Sequence, residues 1–364
     1  MRPESEERLA EIVRTASGPL HVRGGGTHRT PPEDTTVIEM AGLTGVTLYE
    51  PAAMTLVAAA GTTLDSIDAI LAAEGQQLAF EPPSPARATL GGMVAMNASG
   101  PRRVQAGACR DSLIGLRFVD GLGQVAKNGG RVMKNVTGYD LVKLMAGSRG
   151  TLGVLTEVAF KTAPIPPAAR TLSLPDLDAA HAVAALTAAL TSPHDVSGAA
   201  WLPGRGAMVR VEGLAGSVGF RAGELSRVLA QFGPVEVDAA DAADWRELAD
   251  IPVAVTASVT AGVGITDPVS DLVSDLAGDQ LWRILCRPSQ SGQLLRVLPT
   301  PVALDWGGAL IWVRLPRGWT PPPGLPGQGE CMDDGRIFPA PDPRVARLNA
   351  ELRAKFDPRG IFGD

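Results

Sequence analysis

Three consecutive glycines between an arginine and a threonine, Arg23-Gly24-Gly25-Gly26-Thr27, follow the short run Leu20-His21-Val22. Consecutive glycines let backbone N–H groups converge on an anion with no side chain in the way, so this loop has the chemistry of a phosphate nest, with Arg23 as added charge. A second run of small residues, from Thr89-Leu90-Gly91-Gly92 to Ala98-Ser99-Gly100, lets the backbone approach another surface closely. Either run alone is also what a turn or a tightly packed buried segment looks like. Together they supply what a dinucleotide with a flat ring system needs, a cradle for its pyrophosphate and a long slot lined by backbone. Neither a G-x-G-x-x-G fingerprint nor a P-loop Gly-Lys-Ser/Thr is present, so the parallel-sheet dinucleotide fold is not the one encoded.

The chain's 39 acidic and 33 basic side chains give a net charge of -6, which leaves no global positive field for nucleic acid. Its 364 residues are 45% hydrophobic and 20% charged, enough core material for two or three packed units and no case for wholesale disorder. The cysteines, Cys109, Cys286 and Cys331, are odd in number and far apart. That pattern fits a reducing compartment and provides neither a disulfide framework nor an internal cysteine-ligated cluster. The stretch from Met1 to Arg14 is charged throughout with no apolar signal region, and uncharged runs such as Ile251 to Thr266 fall short of the ~18 to 20 residues of a membrane helix. A cytoplasmic chain without a membrane span is expected.

The elements that must position the two runs follow from periodicity. Leu9, Ile12 and Val13 share one face of a first helix stopped at Gly18-Pro19. Strands are expected at Val37–Met40, Leu56–Ala60, Ile114–Val119, Gln124–Ala126 and Val154–Lys161, with helices between Thr62 and Glu74 and over Asp140–Met145. From Arg170 onward the order strand, helix, strand, strand, helix is repeated less clearly from Leu281. The hairpins around Trp201 and Trp306 read as variants of one unit, a tandem pair of split βαβ modules sharing a sheet. Boundaries are therefore expected near residues 165 and 340, with Pro343–Lys355 a terminal helix.

In chain order, RGGGT, PPSPARATLGGMVAMNASG, GACRDSLIGLRFVDGLGQV and DLVKLMAGSRGTLGVLTEVAFK resemble the FAD-binding domain of the vanillyl-alcohol-oxidase, or PCMH-type, FAD-linked oxidases. The phrase GGRVMKNVTGYDL narrows the resemblance to the FAD-binding subunits of bacterial glycolate oxidases, and FDPRGIF resembles the end of the FAD-linked oxidase C-terminal domain. The implied fold is α+β: a PCMH-type FAD-binding domain of two α+β subdomains over 1–165, an antiparallel-sheet cap domain of ferredoxin-like repeats for substrate or subunit interaction over 166–340, and a C-terminal helix, 341–364, returning to the first domain. The implied activity is transfer of electrons from a small 2-hydroxy acid through non-covalent FAD toward an iron-sulfur subunit, beside a sister FAD-linked subunit, with any membrane association made through that complex. A stand-alone FAD-dependent hydroxy-acid or alcohol oxidase and a structural subunit with a degenerate flavin site are the alternatives.

Carried over position by position, the resemblance assigns the pyrophosphate to Arg23, Gly24, Gly25, Gly26 and Thr27, and the slot to Thr89, Leu90, Gly91, Gly92, Ala98, Ser99 and Gly100. Gly107, Arg110 and Asp111, then Gly150, Thr151, Gly153 and Val154, match its later cofactor contacts, although Arg110 also reads as a surface partner of Asp111. Catalytic relatives carry a histidine-rich, metal-holding motif in the C-terminal domain. This chain has His21, His28, His181 and His194 only, so no metal site is expected. His28 invites comparison with the covalent flavin histidine of some relatives but reads better as a loop residue. Lys127, Lys134 and Lys143 with Arg131 form either a basic patch facing flavin, anionic substrate or an acidic subunit, or an ordinary solvated loop. Lys134 and Tyr139 are the candidate catalytic residues; Tyr139 could equally cap a core edge.

Overall fold

In the computed structural model the described residues are 1–27, 34–84, 87–130, 138–238, 242–261 (backbone only from 253) and 279–363. The chain forms two compact units. The first comprises Met1–Ser99, Gly107–Ile165 and Pro341–Asp364, the second Gly100–Ala106 and Pro166–Ala340. Residues 100–106, counted with the first unit from the sequence, thus group with the second.

The first unit opens with α1 (Glu6–Thr15). Ser5 caps it by accepting from Arg8 N–H at 3.1 Å, Glu6 and Glu7 face the positive end of its dipole, and Leu9, Ile12 and Val13 are buried. The strands β1 (Leu20–Arg23) and β2 (Thr36–Glu39) pair in parallel. These elements share a small core with the C-terminal residues Ile361 and Phe362. The second part of the unit is an antiparallel sheet built from β3 (Val46–Glu50), β4 (Thr55–Ala59), β6 (Leu113–Val119), β7 (Val125–Gly129) and β8 (Val154–Lys161), in the order β3-β4-β8-β6-β7. A short pair, β5 (Gln76–Gln77) and β9 (Ala163–Pro164), lies beside it in sequence order. Its core also draws on α2 (Leu64–Ala73), α3 (Leu90–Met96), α5 (Cys109–Ser112) and α6 (Leu141–Met145). The two separate cores give the two α+β subdomains that the sequence implied.

One helix of this unit was not expected. The run from Thr89 was read as a backbone slot, and it folds as α3: Thr89 caps it, its side chain accepting from Gly92 N–H at 3.3 Å, and Asn97 ends it in the left-handed region at φ +48°. The two readings are compatible, because Gly91 and Gly92 occupy the first turn and keep that end of the helix bare.

The second unit is one nine-stranded antiparallel sheet. Its elements in chain order are α4 (Arg103–Ala106), β10 (Ala168–Leu174), α7 (Ala179–Leu190), β11 (Val196–Leu202), β12 (Gly206–Gly213), α8 (Ala215–Leu229), β13 (Glu236–Val237), α9 (Ala242–Ala261), β14 (Asp279–Leu285), α10 (Pro288–Leu295), β15 (Ala303–Asp305), β16 (Leu310–Pro316), β17 (Gln328–Cys331) and β18 (Ile337–Phe338). The sheet order is β13-β10-β12-β11-β15-β16-β14-β17-β18. Numbered within each repeat, this is 4-1-3-2 followed by 2-3-1-4, two ferredoxin-like modules joined edge to edge at Trp201 and Leu304, with β18 added as a ninth strand beside β17. The expected tandem is present, with a Pro/Gly loop after β16 where the second repeat would have its second helix. One face of the sheet carries α7, α8 and α10; the other buries Trp245, Leu248 and Ile251 of α9 beside Val104 of α4.

That second face holds buried charge. Arg102 and Arg210 flank Glu212, with Nε to Oε2 distances of 3.2 and 3.3 Å, and the Arg210 guanidinium stacks on Trp245 at 4.6 Å. Trp306 Nε1 donates to Gly100 O at 3.0 Å, and the Arg103 guanidinium covers its ring at 4.4 Å. Residues 100–106 are thereby fastened by an ion cluster, an indole hydrogen bond and a cation–π contact.

The chain returns to the first unit through α11 (Pro343–Phe356). The FDPRGIF segment then locks the tail. Phe356 packs on Phe118 with ring centroids 6.0 Å apart, Asp357 Oδ2 accepts from Phe362 N–H at 2.8 Å, and Arg359 donates to the carbonyls of Val13 and Arg14 at the C-terminal end of α1. Leu20 N–H donates to Ile361 O at 2.7 Å, placing Phe362 beside β1.

Glu6 ties α1 to the five-stranded sheet: Arg117 Nε donates to its Oε1 at 3.1 Å and Thr156 Oγ1 to the same oxygen at 2.5 Å. Burial pushes the carboxyl pKa up, but the Arg117 and Thr156 hydrogen bonds outweigh it and leave the pKa below its ordinary value. A depressed folded-state pKa contributes stability that is present above the unfolded-state value, ~4.3, and lost as pH falls through the folded one. Glu6→Gln is accordingly expected to lower the melting temperature at pH 7, with the gap to wild type closing toward pH 3 in a series of thermal melts.

Candidate functional site

The glycine loop leaves β1 and runs against the start of α3. A Cβ on Gly24 would lie 2.4 Å from Thr89 Oγ1, and one on Gly25 would lie 1.7 Å from the carbonyl oxygen of Arg87, which is backbone and cannot rotate away. Gly25 is therefore required by the approach itself. On its far side α3 is held down by Gly91 N–H, which donates to Ala60 O at 2.7 Å. A turn after α6 completes the ring: Arg149 N–H donates to Ala95 O at 2.9 Å and Thr151 Oγ1 to Ser148 O at 2.7 Å.

These segments enclose a cleft in the first unit. It is lined by Val22, Gly24, Met40, Ala60, Thr89, Gly91, Gly92, Ala95, Ser148, Arg149, Gly150, Gly153 and Leu155. Of the residues expected from sequence, Gly24, Thr89, Gly91, Gly92, Gly150 and Gly153 meet there, drawn from three separate stretches of chain.

The others are placed differently. Arg23 ends β1 and pairs with Glu39 across β2 at 3.6 Å, Gly26 turns at φ +70° beside the Arg23 guanidinium, and Thr27 follows half-buried. Leu90 and Val154 are buried in the two cores of the unit, so they support the cleft without lining it. Ala98 N–H donates to Met93 O, and Ser99 Oγ accepts from Cys109 N–H at 2.9 Å. Gly100 belongs to the second unit.

Gly107, Arg110 and Asp111 form a local network beyond α3. Asp111 Oδ2 accepts from Ala108 N–H at 2.9 Å and Oδ1 pairs with Lys143 Nζ at 3.2 Å, while Arg110 N–H donates to Asn97 Oδ1 at 3.0 Å. Burial raises the Asp111 pKa, but the Ala108 N–H and Lys143 more than offset it, so the net shift is downward and the carboxylate is held ionised. The partner of Asp111 is Lys143 rather than the neighbouring Arg110. Lys143 is thus engaged, and Lys127 lies on β7, lining a shallow hollow with Arg117 and Asn128. Tyr139 is 89% exposed, and its contact in the structure is through its carbonyl, which accepts from Asn128 Nδ2 at 3.0 Å. Lys134, Arg131 and His28 lie outside the described residues. His181 caps α7 with Asp178, and no group of metal-ligating side chains occurs among the described residues.

Sequence reasoning missed Ser148. Its hydroxyl is buried at the cleft and has no hydrogen-bond partner among the described residues. The N–H groups of Gly25 and Gly26 likewise donate to nothing among the described residues. A cleft walled by glycines, with an orphaned hydroxyl at its wall and unused amides in the loop next to Gly24, has the donor chemistry for a phosphate-bearing ligand and the bare walls for a flat one.

Comparison with known proteins agrees. Residues 1–129 match the family described as FAD binding domain. Along most of its length the chain is 32% identical to the glycolate oxidase subunit GlcE of Escherichia coli, over 332 residues covering 87% of this chain and 83% of that one. The chain belongs to the FAD-linked oxidase family. Shorter similarities include the glycolate oxidase subunit GlcD of Bacillus subtilis, 32% identical over 47% of this chain and 38% of that one, and a D-lactate dehydrogenase of Archaeoglobus fulgidus, 33% identical over 45% and 38%. Among solved structures, an alkyldihydroxyacetonephosphate synthase superposes with a TM-score of 0.70 at 16% identity, covering 100% of this chain and 75% of that one, a likeness of fold. As a member of this family the protein is an FAD-binding oxidoreductase.

The cleft's residues fit the cofactor. Gly24, Gly25 and Gly26 would hold its pyrophosphate, and Thr89, Gly91, Gly92, Ser148 and Gly150 would face the rest of it. Adding a methyl at Gly25 forces backbone apart, so Gly25→Ala is expected to weaken FAD binding at least tenfold. Ser148→Ala removes one neutral hydrogen bond, about 1 kcal/mol, and should weaken it about fivefold. Titrations followed by flavin fluorescence, with thermal melts of both variants as folding controls, measure these effects.

Proposed function

We propose that the protein is the FAD-binding subunit of a glycolate-oxidase-type complex, holding FAD non-covalently and passing electrons from glycolate or a similar 2-hydroxy acid toward an iron-sulfur subunit. The observation that carries this reading is the near full-length similarity to a chain that is itself named a glycolate oxidase subunit, in combination with a cleft whose open donors suit the cofactor. When bound, FAD supplies acceptance of an electron pair as hydride. This chain's own part is to neutralise the pyrophosphate with backbone amides, to keep the ring against small residues, and to exclude water with Met40, Ala60, Ala95 and Leu155.

Two features favour oxidation of the acid on a sister FAD-linked subunit. The chain has four histidines, none after His194, whereas the catalytic relatives it resembles use a histidine-rich site in the C-terminal domain. Cys109 and Cys331 are buried and the three cysteines stand apart, so an iron-sulfur step falls to another chain. The absence of a covalent flavin link, the acid used and the compartment belong to the same proposal; among the described residues no helix is long and apolar enough to cross a membrane.

The purified chain, reconstituted with FAD, is expected to show the two-banded flavin spectrum and to release all its flavin on acid precipitation. Mixed with the sister and iron-sulfur subunits, its flavin should be reduced by glycolate within turnover, while the chain alone should not be. A chain that takes up no flavin overturns the cofactor assignment, and turnover of glycolate by the chain alone makes it a stand-alone oxidase.

A further inference from the structure

The terminal helix α11 stands almost clear of the unit that carries it. None of its 14 residues is buried, although it is flanked by the well-anchored FDPRGIF segment. Val345, Leu348 and Leu352 are 50%, 58% and 37% exposed, and their spacing of three and four places them on one face. A helix of this length is marginal in water by itself, and its stability in proteins comes from burying such a face. Exposed in a row, the three aliphatics make a binding seam.

The charge of the helix selects the occupant. Arg344, Arg347, Arg353 and Lys355 stand against a single acidic residue, Glu351, in a chain that is acidic as a whole. A two-fold contact between copies would set this basic helix against itself, which like-charge repulsion opposes. A bilayer surface would take the charge, but interfacial helices present a broad apolar face with aromatic residues, and this seam is one aliphatic side chain wide. We infer that α11 docks by Val345, Leu348 and Leu352 into an apolar groove rimmed by carboxylates on a different polypeptide, the companion FAD-linked subunit. This rests on the reading of the chain as one subunit of a complex.

The test uses full-length chains. Wild type, the double variant Leu348→Glu/Leu352→Glu and the charge variant Arg344→Glu/Lys355→Glu are each co-expressed with the companion subunit, and association is followed by sedimentation and its salt dependence. The apolar variant is expected to lose at least tenfold in affinity, and the charge variant to weaken association and flatten its salt dependence, with flavin content and melting temperature unchanged in both. If wild type associates and both variants associate equally well, the helix is not the docking element, while the complex stands. If wild type does not associate with the companion at all, both this inference and the complex fall. Vesicles of phosphatidylglycerol and phosphatidylcholine are a parallel probe: binding that the apolar variant loses, with its association intact, assigns the helix to a membrane surface instead.

Discussion

The first unit depends on a single close approach, that of a glycine loop to the cap of a helix. The carbonyl of Arg87 and the hydroxyl of Thr89 occupy the space that side chains on Gly25 and Gly24 would need. Because the backbones meet there, the start of α3 faces the end of β1 without intervening side chains, and the cleft has a floor made of peptide groups. The same helix start is tied to the sheet through Ala60, and its middle to the turn at Ser148–Thr151 through Ala95. Four stretches of chain thus converge through main-chain contacts, which hold position more tightly than long side chains do and cost less conformational entropy.

Much of this was legible in the sequence because it is written in residue types with few uses. Glycines in sequence after a strand, and small residues in a run, point to backbone contact whichever secondary structure they adopt, so the reading of the Thr89 run as a place of backbone contact holds although the segment folds as a helix. The tandem repeat was legible for a different reason: the hairpins around Trp201 and Trp306 resemble one another, and the order of strands and helices recurs from Leu281.

What remained illegible is what depends on partners distant in sequence. Nothing marks Ser148 as different from other loop serines until its hydroxyl is found buried with no bond to make. Leu90 and Val154 look like cofactor contacts by neighbourhood, yet a helix turns every third or fourth position to one side and a strand every second, and these two face the cores. Residues 100–106 carry no compositional break, and only their ion cluster with Glu212 and Arg210 and the indole of Trp306 show to which unit they belong.

The tail has a consequence for how the first unit folds. Leu20 finds its hydrogen-bond partner in Ile361, and the end of α1 finds one in Arg359, which lies 346 residues from Val13. Contacts of that separation carry a large loop-closure entropy and form only once the intervening chain has been drawn together. The strand from which the glycine loop leaves is therefore steadied by residues remote from the cleft in sequence, and the α1–β1–β2 subdomain depends on them to close its small core.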